Sequence, residues 1–216
     1  MKLAITPLAL STATFGLMLG VAHNAQAGVI ASDGTMGTQA GFNIINTVNK
    51  AGLVPNTPGP SHVASSSTSV GTSWQSANTT GNITFQFTSA KPVTLVGFKF
   101  WNLSGGGNTN LRGFRNVWVE YNDGTTWKNL LGTSSNPFTF VQGALSTAAQ
   151  GPSNDINFAE VFATQVRFNV QSNYGAGGGS GRSGFAEIQF KTIPEPSASL
   201  ALLALGLVGI GLRKRI

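Results

Sequence analysis

Short runs in which apolar and polar residues alternate recur through the middle of the chain. Such an alternation places the apolar side chains of a run on one face, as in a β-strand half-buried against a core. No stretch between residues 28 and 192 keeps helical periodicity for three turns. The pattern therefore predicts an all-β fold, an antiparallel β-sandwich or jelly roll. The apolar sets are Ile83, Phe85 and Phe87; Val96, Phe98 and Phe100; Val117, Val119 and Tyr121; Val166, Phe168 and Val170; Ala186, Ile188 and Phe190.

The first 27 residues have the pattern of a secretory signal peptide. Lys2 precedes an apolar run that reaches Val21, and a small-x-small ending closes at Ala27. The alternative is an N-terminal membrane anchor, for which the run is broken by Pro7 and several hydroxyl residues. The sequence predicts cleavage after Ala27 and a mature domain over residues 28–192.

The last 24 residues, 193–216, have three parts in a fixed order. Pro194, Glu195 and Pro196 come first, an apolar stretch follows over 198–212, and the basic residues Arg213, Lys214 and Arg215 follow it. The apolar stretch is about 22 Å long as a helix, shorter than the roughly 30 Å of a bilayer core. It predicts a short transmembrane helix with the basic tail on the cytoplasmic side.

These three parts together closely resemble the PEP-CTERM sorting signal. The resemblance implies that the helix holds an exported protein transiently in the inner membrane of a Gram-negative bacterium. It also implies processing by an exosortase and delivery to the cell surface or to the extracellular polysaccharide. The alternative is a plain C-terminal membrane anchor.

Composition excludes several classes of function. The chain has no cysteine, so it has no disulfide, cysteine-ligated metal site or cysteine nucleophile. Its 13 basic and 7 acidic residues are unevenly distributed, and residues 28–192 hold nine basic and six acidic ones. The domain is thus nearly neutral and has no basic stripe, which argues against nucleic-acid binding.

A second resemblance is carried by the order of the strands. The two runs from Ile83 to Phe98 are similar to the opening pair of a discoidin-like (galactose-binding-like, coagulation-factor C-type) domain. The run Val117–Trp127 resembles its strand followed by Asp-Gly-x-x-Trp, and Gln165–Phe190 contains segments similar to its closing pair. Trp74 stands where the family has a tryptophan. The resemblance covers about residues 60–190.

This resemblance implies an eight-stranded jelly roll, usually non-enzymatic, that binds sugars, lipid headgroups or proteins through loops at one end. Several relatives hold a structural calcium ion through a loop aspartate, a threonine and the acid of the last strand. Thr72 and Glu187 match two of these ligands, whereas Ser67 stands near the place of the aspartate. A calcium site is therefore weakened or lost. Alternatively, Glu187 is an outward-facing strand residue in solvent.

The residues offer little for catalysis. His62, the only histidine after residue 27, lies in a proline- and serine-rich loop and is expected to be solvated. Glu120 and Asp123 are close in sequence, but Asp123 begins an Asp-Gly pair that is typical of a tight turn. The run 179–184 matches a dinucleotide fingerprint but precedes a strand, so no helix N-terminus could hold a phosphate. We expect no enzymatic activity.

The remaining candidates are groups that could bind a sugar. Trp101 and Asn102 leave a strand before a triple-glycine loop, and Arg112 follows that loop. Asn173 and Tyr174 lie in a later loop. Alternatively, Trp101 caps the core and Arg112 pairs with Glu120. The sequence favours an exported polysaccharide-binding domain. The alternative is a structural matrix or surface protein that assembles with itself or its neighbours.

Overall fold

Twelve β-strands and two 3-10 helices make up the regular structure of the described residues, 28–55, 60–64, 71–89, 91–175 and 181–193, in a computed structural model. The strands are β1 (Val29–Ser32), β2 (Leu53–Val54), β3 (Ser61–His62), β4 (Trp74–Gln75), β5 (Gly81–Phe87), β6 (Val93–Asn102), β7 (Phe114–Asn122), β8 (Trp127–Leu131), β9 (Phe138–Thr139), β10 (Asn154–Ala163), β11 (Gln165–Asn173) and β12 (Gly184–Ile193). The 3-10 helices span Ile44–Thr47 and Asn110–Arg112.

Two of the predicted segments fall outside these residues. The predicted signal peptide, 1–27, is not among them, and neither are the sorting-motif residues Pro194, Glu195, Pro196, Arg213, Lys214 and Arg215. Within the described ranges, no helix is long and apolar enough to cross a bilayer. The predicted span over 198–212 lies outside those ranges.

The strands form two main sheets and a small ribbon. One sheet has the order β1-β5-β11-β7-β8, with β9 also paired to β7. The other has the order β10-β6-β12-β4, and β2 pairs with β3. All of these pairings are antiparallel. The all-β antiparallel sandwich predicted from the alternation is thus confirmed.

Phenylalanine side chains from both sheets fill the space between them. Phe168 of β11 packs against Phe98 of β6 with ring centroids 5.5 Å apart. Phe85 of β5 meets Phe190 of β12 at 5.5 Å. All four residues belong to one buried cluster that includes side chains from both sheets. These contacts join the sheets face to face, as in a sandwich core.

Two strands depart from the predicted alternation because each contains a β-bulge. In β6 the register slips around Val96, so Leu95 is buried in the core and Val96 is half-buried. In β12 the slip falls at Ala186, and Phe185 joins the core cluster in its place. A bulge adds one residue to a strand and so reverses the facing of every residue beyond it. The predicted burial of Val96 in the core is therefore wrong, whereas Ala186 is buried as predicted but lies outside the core cluster.

Candidate functional site

Trp101 and Glu187 are cross-strand partners on the face of the four-stranded sheet that points away from the core. Their Cα atoms are paired, and the next pair along, Phe100 and Ile188, belongs to the core. Both side chains are nevertheless buried, with exposures of 2% for Trp101 and 0% for Glu187. Other segments of the chain must therefore cover this part of the outer face.

Some of these covering segments line a pocket beside Trp101, which we call the Trp101 pocket. Its volume is about 330 Å³. It is lined by His62, Trp101, Asn102, Ser104, Val141, Gln142, Gly143, Ala144, Gln150, Gly151, Pro152 and Ser153. The indole Nε1 of Trp101 is buried and has no hydrogen-bond partner among the described residues. Trp101 is absent from the core cluster, so it does not cap the core.

His62 forms one wall of this pocket. The prediction of a solvated histidine is wrong, because His62 is 2% exposed. Its Nδ1 lies 2.7 Å from the carbonyl oxygen of Val63, and its Nε2 lies 2.9 Å from that of Ala51. Burial lowers the pKa of His62, and hydrogen bonds to backbone groups oppose that shift. Both ring nitrogens of His62 therefore contact backbone carbonyl groups of neighbouring segments.

Asn102, predicted to bind a ligand, has a structural role in the described chain. Its Nδ2 donates to the carbonyl oxygens of Phe114 at 2.7 Å and Val141 at 2.9 Å. Its Oδ1 accepts from the backbone N–H of Phe114 at 2.8 Å and of Leu103 at 3.1 Å. Asn102 therefore ties the end of β6 to β7 and to one wall of the pocket.

Arg112 lies at the end of the sandwich where β6 and β11 finish and β7 and β12 begin. Its Nη1 donates to Oε1 of Gln75 at 2.8 Å. The alternative pairing with Glu120 is wrong, because Glu120 accepts from Arg167 at 2.7 Å instead. Burial, and then the nearby charge of Arg182, lower the pKa of Arg112.

We call these two side chains the Gln75–Arg112 pair, and each has one nitrogen donor without a hydrogen-bond partner among the described residues. Nε2 of Gln75 and Nε of Arg112 are buried and lack acceptors among the described residues. Gln75 itself is 0% exposed, which keeps its amide plane fixed. Arg112 itself is half-buried, and its guanidinium is a planar donor group of the kind that suits hydroxyl oxygens.

Asn173 and Tyr174, the other predicted ligand residues, are largely used by the fold. Asn173 is buried and donates through Nδ2 to the carbonyl oxygen of Arg182 at 2.7 Å. The Tyr174 hydroxyl donates to the carbonyl oxygen of Phe140. Burial raises the pKa of Tyr174. Neither residue lines the Trp101 pocket.

Thr72 and Glu187, the predicted calcium ligands, both neighbour the turn at 50–52. The backbone N–H of Lys50 donates to Oε1 of Glu187 at 3.1 Å. A side chain added at Gly52 would come within 2.8 Å of Thr72 Cβ. Oε2 of Glu187 is buried without a partner among the described residues. This orphaned acidic oxygen fits a cation, and the solvent-exposed alternative for Glu187 is wrong.

The carboxylates of Asp123 and Glu120 accept hydrogen bonds from other residues and not from the neighbourhood of Glu187. Asp123 forms the predicted tight turn, accepting from the backbone N–H groups of Thr125 at 2.9 Å and Thr126 at 3.0 Å. Glu120 accepts from Asn169 at 2.8 Å in addition to its bonds from Arg167. Among the described residues, no group of three or more histidine, cysteine or acidic side chains could hold a metal ion. A cation near Glu187 would need hydroxyl and backbone oxygens as its other ligands.

Sequence reasoning missed several residues that lie beside the predicted ones. Gln75 directly follows Trp74, and no alternating run in the sequence includes it. Gln150 and Ser153 lie in a segment without alternation. Their roles depend on contacts between segments far apart in the chain, such as the 2.7 Å bond from His62 N–H to the Gln150 carbonyl oxygen.

A family match is confined to the end of the chain. Residues 192–215 match the PEP-CTERM protein-sorting motif. The chain therefore carries a signal for export and membrane anchoring at its C-terminus. No curated protein sequence matches the chain.

The solved structures similar to this chain include carbohydrate-binding modules and a discoidin-like domain. A pectin-binding carbohydrate-binding module is 14% identical, with a TM-score of 0.47, covering 80% of this chain and 93% of its own. The family 32 module of Streptococcus pneumoniae EndoD is 16% identical at a TM-score of 0.43, covering 78% and 98%. An F5/8 type C domain from Bacteroides fragilis is 16% identical at 0.41, covering 76% and 89%. The assignment of the sandwich rests on the sheet pairings described above.

Proposed function

We propose that this chain is an exported, non-enzymatic domain that binds polysaccharide at the cell surface or in the extracellular matrix. The observation that carries the proposal is the Gln75–Arg112 pair. Its two side chains are joined at 2.8 Å and keep buried donors without acceptors among the described residues.

Buried donors without acceptors are costly to a folded protein, at about 1–3 kcal/mol each. Neither donor atom is exposed in the free domain, so a ligand's acceptor oxygens would remove this cost only if the two side chains shifted when it bound. Sugar hydroxyls are such acceptors, and they lie around a ring at spacings that an amide and a guanidinium can meet together. Arg112 also keeps its charge, which strengthens hydrogen bonds to neutral oxygens.

The destination follows from the sorting motif. We propose that the chain is held in the inner membrane by its C-terminal segment until an exosortase-type enzyme processes it near Pro194–Pro196. The domain would then be released to the surface or to the matrix. There it would meet extracellular polysaccharide, the ligand that the first part of the proposal requires.

Among the described residues, the oxygen atoms near Glu187 suit calcium, which prefers oxygen ligands. Glu187 through Oε2 and Thr72 through its hydroxyl would hold the ion, with backbone oxygens completing the set. When bound, calcium would supply positive charge beside a buried carboxyl group. Its contribution would be to stability and not to chemistry on a substrate.

Titration calorimetry of the full chain, in a detergent without sugar groups, tests the function. Polysaccharide from the producing cells should give saturable heat. The variant R112K keeps the charge but loses the planar fork, so we expect an affinity about tenfold to hundredfold lower. R115K is the matched control, because Arg115 is exposed on β7, where its guanidinium lies 5.7 Å from the centre of the Tyr174 ring. Absence of heat with the wild-type chain, or equal affinities for R112K and R115K, would contradict the proposal.

A further inference from the structure

Two exposed apolar side chains lie on the outer face of the four-stranded sheet, Phe162 on β10 and Ile193 at the end of β12. Their exposures are 62% and 42%. Both residues are cross-strand partners of Thr94 on β6, so the three residues stand in one row across the sheet. Their neighbours Ala163 and Leu95 are buried in the core, so this row faces away from it. We call this surface the Phe162–Ile193 face.

The Phe162–Ile193 face lies at the end of the sandwich opposite the Gln75–Arg112 pair. Gln75 is the partner of Gly184, the first residue of β12, whereas Ile193 is the last residue of that strand. The strand between them is about 25–30 Å long. A partner of this face would therefore not compete for space with a ligand at the Gln75–Arg112 pair.

Both of the segments predicted to enter a membrane join the domain at this end. Ile193 lies within the residues that match the sorting motif. At the other terminus, Val29 begins β1 just after the predicted signal peptide and pairs with Phe87. The N–H of Phe87 donates to the carbonyl oxygen of Thr164 at 3.0 Å, beside the Phe162–Ile193 face. This end of the domain is thus the one to which the membrane signals are attached.

The length of chain beyond Ile193 keeps this end near a bilayer. Four residues, 194–197, separate Ile193 from the predicted span over 198–212. Even fully extended, the chain from Ile193 to residue 198 reaches at most about 18 Å. Apolar side chains held this close to lipid gain about 25 cal/mol for each Å² that they remove from water.

The charges beside the face do not supply an attraction to anionic lipid. Lys91 is exposed just before β6, and Glu160 is exposed two residues before Phe162. One positive and one negative group nearly cancel, so the apolar side chains must provide the affinity. Insertion of apolar groups depends little on salt, whereas attraction between exposed charges is screened by it.

We propose that the Phe162–Ile193 face contacts the lipid bilayer while the chain is anchored, with Phe162 inserted among the headgroups. The inference rests on the proposed holding of the chain in the membrane by its C-terminal segment. The contact directs the opposite end of the sandwich, with the Gln75–Arg112 pair, away from the bilayer.

Site-directed spin labelling of the full chain tests this contact, because the chain has no cysteine of its own. The chain is reconstituted into vesicles of phosphatidylethanolamine and phosphatidylglycerol, and the label is attached in T94C, which keeps Phe162 and Ile193. The matched control is L145C. Leu145 is 72% exposed and lies beside the far end of β6, since the N–H of Gly105 donates to the Ala144 carbonyl oxygen at 3.0 Å. Collisions with oxygen, which concentrates in lipid, and with a water-soluble nickel complex measure the depth of the label.

The label at residue 94 should lie about 5–10 Å into the boundary between headgroups and acyl chains, and the label at residue 145 should stay in water. F162E in the T94C chain should return the label to water, whereas F162L should not. Raising the ionic strength to about 1 M, where the Debye length is about 3 Å, should leave the depth unchanged.

A label at residue 94 that stays in water, in chains that float with the vesicles, overturns the lipid contact and leaves anchoring and polysaccharide binding standing. A label shielded from both oxygen and nickel indicates contact with a second copy and overturns lipid as the partner. A depth that is lost in high salt overturns the apolar contact. Chains that do not float with the vesicles overturn both anchoring and the contact, and the label at residue 94 gives these answers even if F162E does not fold.

Discussion

At the scale of single residues, two neighbouring side chains carry unmet hydrogen-bonding capacity. Trp101 and Glu187 are cross-strand partners, and each keeps one buried polar atom unpaired among the described residues. Trp101 could be identified as a candidate binding residue from its own chemistry, because a tryptophan before a glycine-rich loop suggests stacking on a sugar. That Glu187 is buried could not be read from its strand, because an alternating strand places its polar residues toward solvent unless another segment covers them.

The carboxyl group of Glu187 makes stability depend on pH in calcium-free buffer. Burial raises its pKa to about 8, above the ordinary 4.5. The folded chain therefore keeps a proton that the unfolded chain releases. The free energy of unfolding should fall as the pH rises from about 4.5 to about 8, by at most about 1.4 kcal/mol per pH unit.

Urea unfolding at several pH values in EGTA measures this slope. The variant E187Q removes the titrating group and should flatten that part of the profile. Calcium should restore stability at pH 8 in the wild-type chain only. The same slope in E187Q and in the wild type would rule out Glu187 as its source.

At the scale of elements, the alternation of residues predicts strand faces until a bulge intervenes. Val166, Phe168 and Val170 of β11 point inward as predicted, and all three are buried in the core. In β6 the prediction is wrong at Val96, and in β12 Ala186 is buried but Phe185 takes its place in the core cluster, because a bulge shifts the facing by one residue. A bulge is set by the fit of a strand to both of its neighbours, which a single run of sequence does not contain.

The β6 bulge gives Gly97 a testable role. A Cβ atom added there would lie 2.2 Å from the carbonyl oxygen of Ile156 on β10. We expect G97A to cost about 1–3 kcal/mol, seen as a fall in Tm of about 3–10 °C. G106A is the control, since nothing lies within 4 Å of a Cβ added at Gly106. Thermal unfolding followed by circular dichroism compares the two, and equal Tm values would refute the close packing of β6 on β10.

At the scale of the whole molecule, the two sheets depend on one aromatic core. The chain has 14 phenylalanines and no cysteine, so no disulfide assists that core. The all-β class was predictable because it follows from local alternation. The order of strands within the sheets was accessible only through resemblance, since the pairing of β6 with both β10 and β12 joins segments more than fifty residues apart.

Replacing Phe168 measures how far the two sheets depend on their shared aromatic core. Its ring packs against Phe85 in its own sheet and against Phe98 and Phe100 in the other. We expect F168A to lower the free energy of unfolding by about 3–5 kcal/mol. F162A is the control, because Phe162 on β10 is 62% exposed and its loss should cost less than about 0.5 kcal/mol. Similar urea midpoints for the two variants would show that the sheets are not held together in this way.

The irregular pairing of β10 bears on how this protein behaves when many copies are crowded together. β10 is the outermost strand of its sheet, ten residues long, and its pairing with β6 slips between Asn157 and Val161. Glu160 lies within that interruption and is exposed, whereas Asp155 just before it forms an ion pair with Lys191 of β12. A long straight edge is a template for aggregation, whereas a kinked and negatively charged one resists it. This edge of the domain is therefore a poor template for pairing with the same edge of another copy.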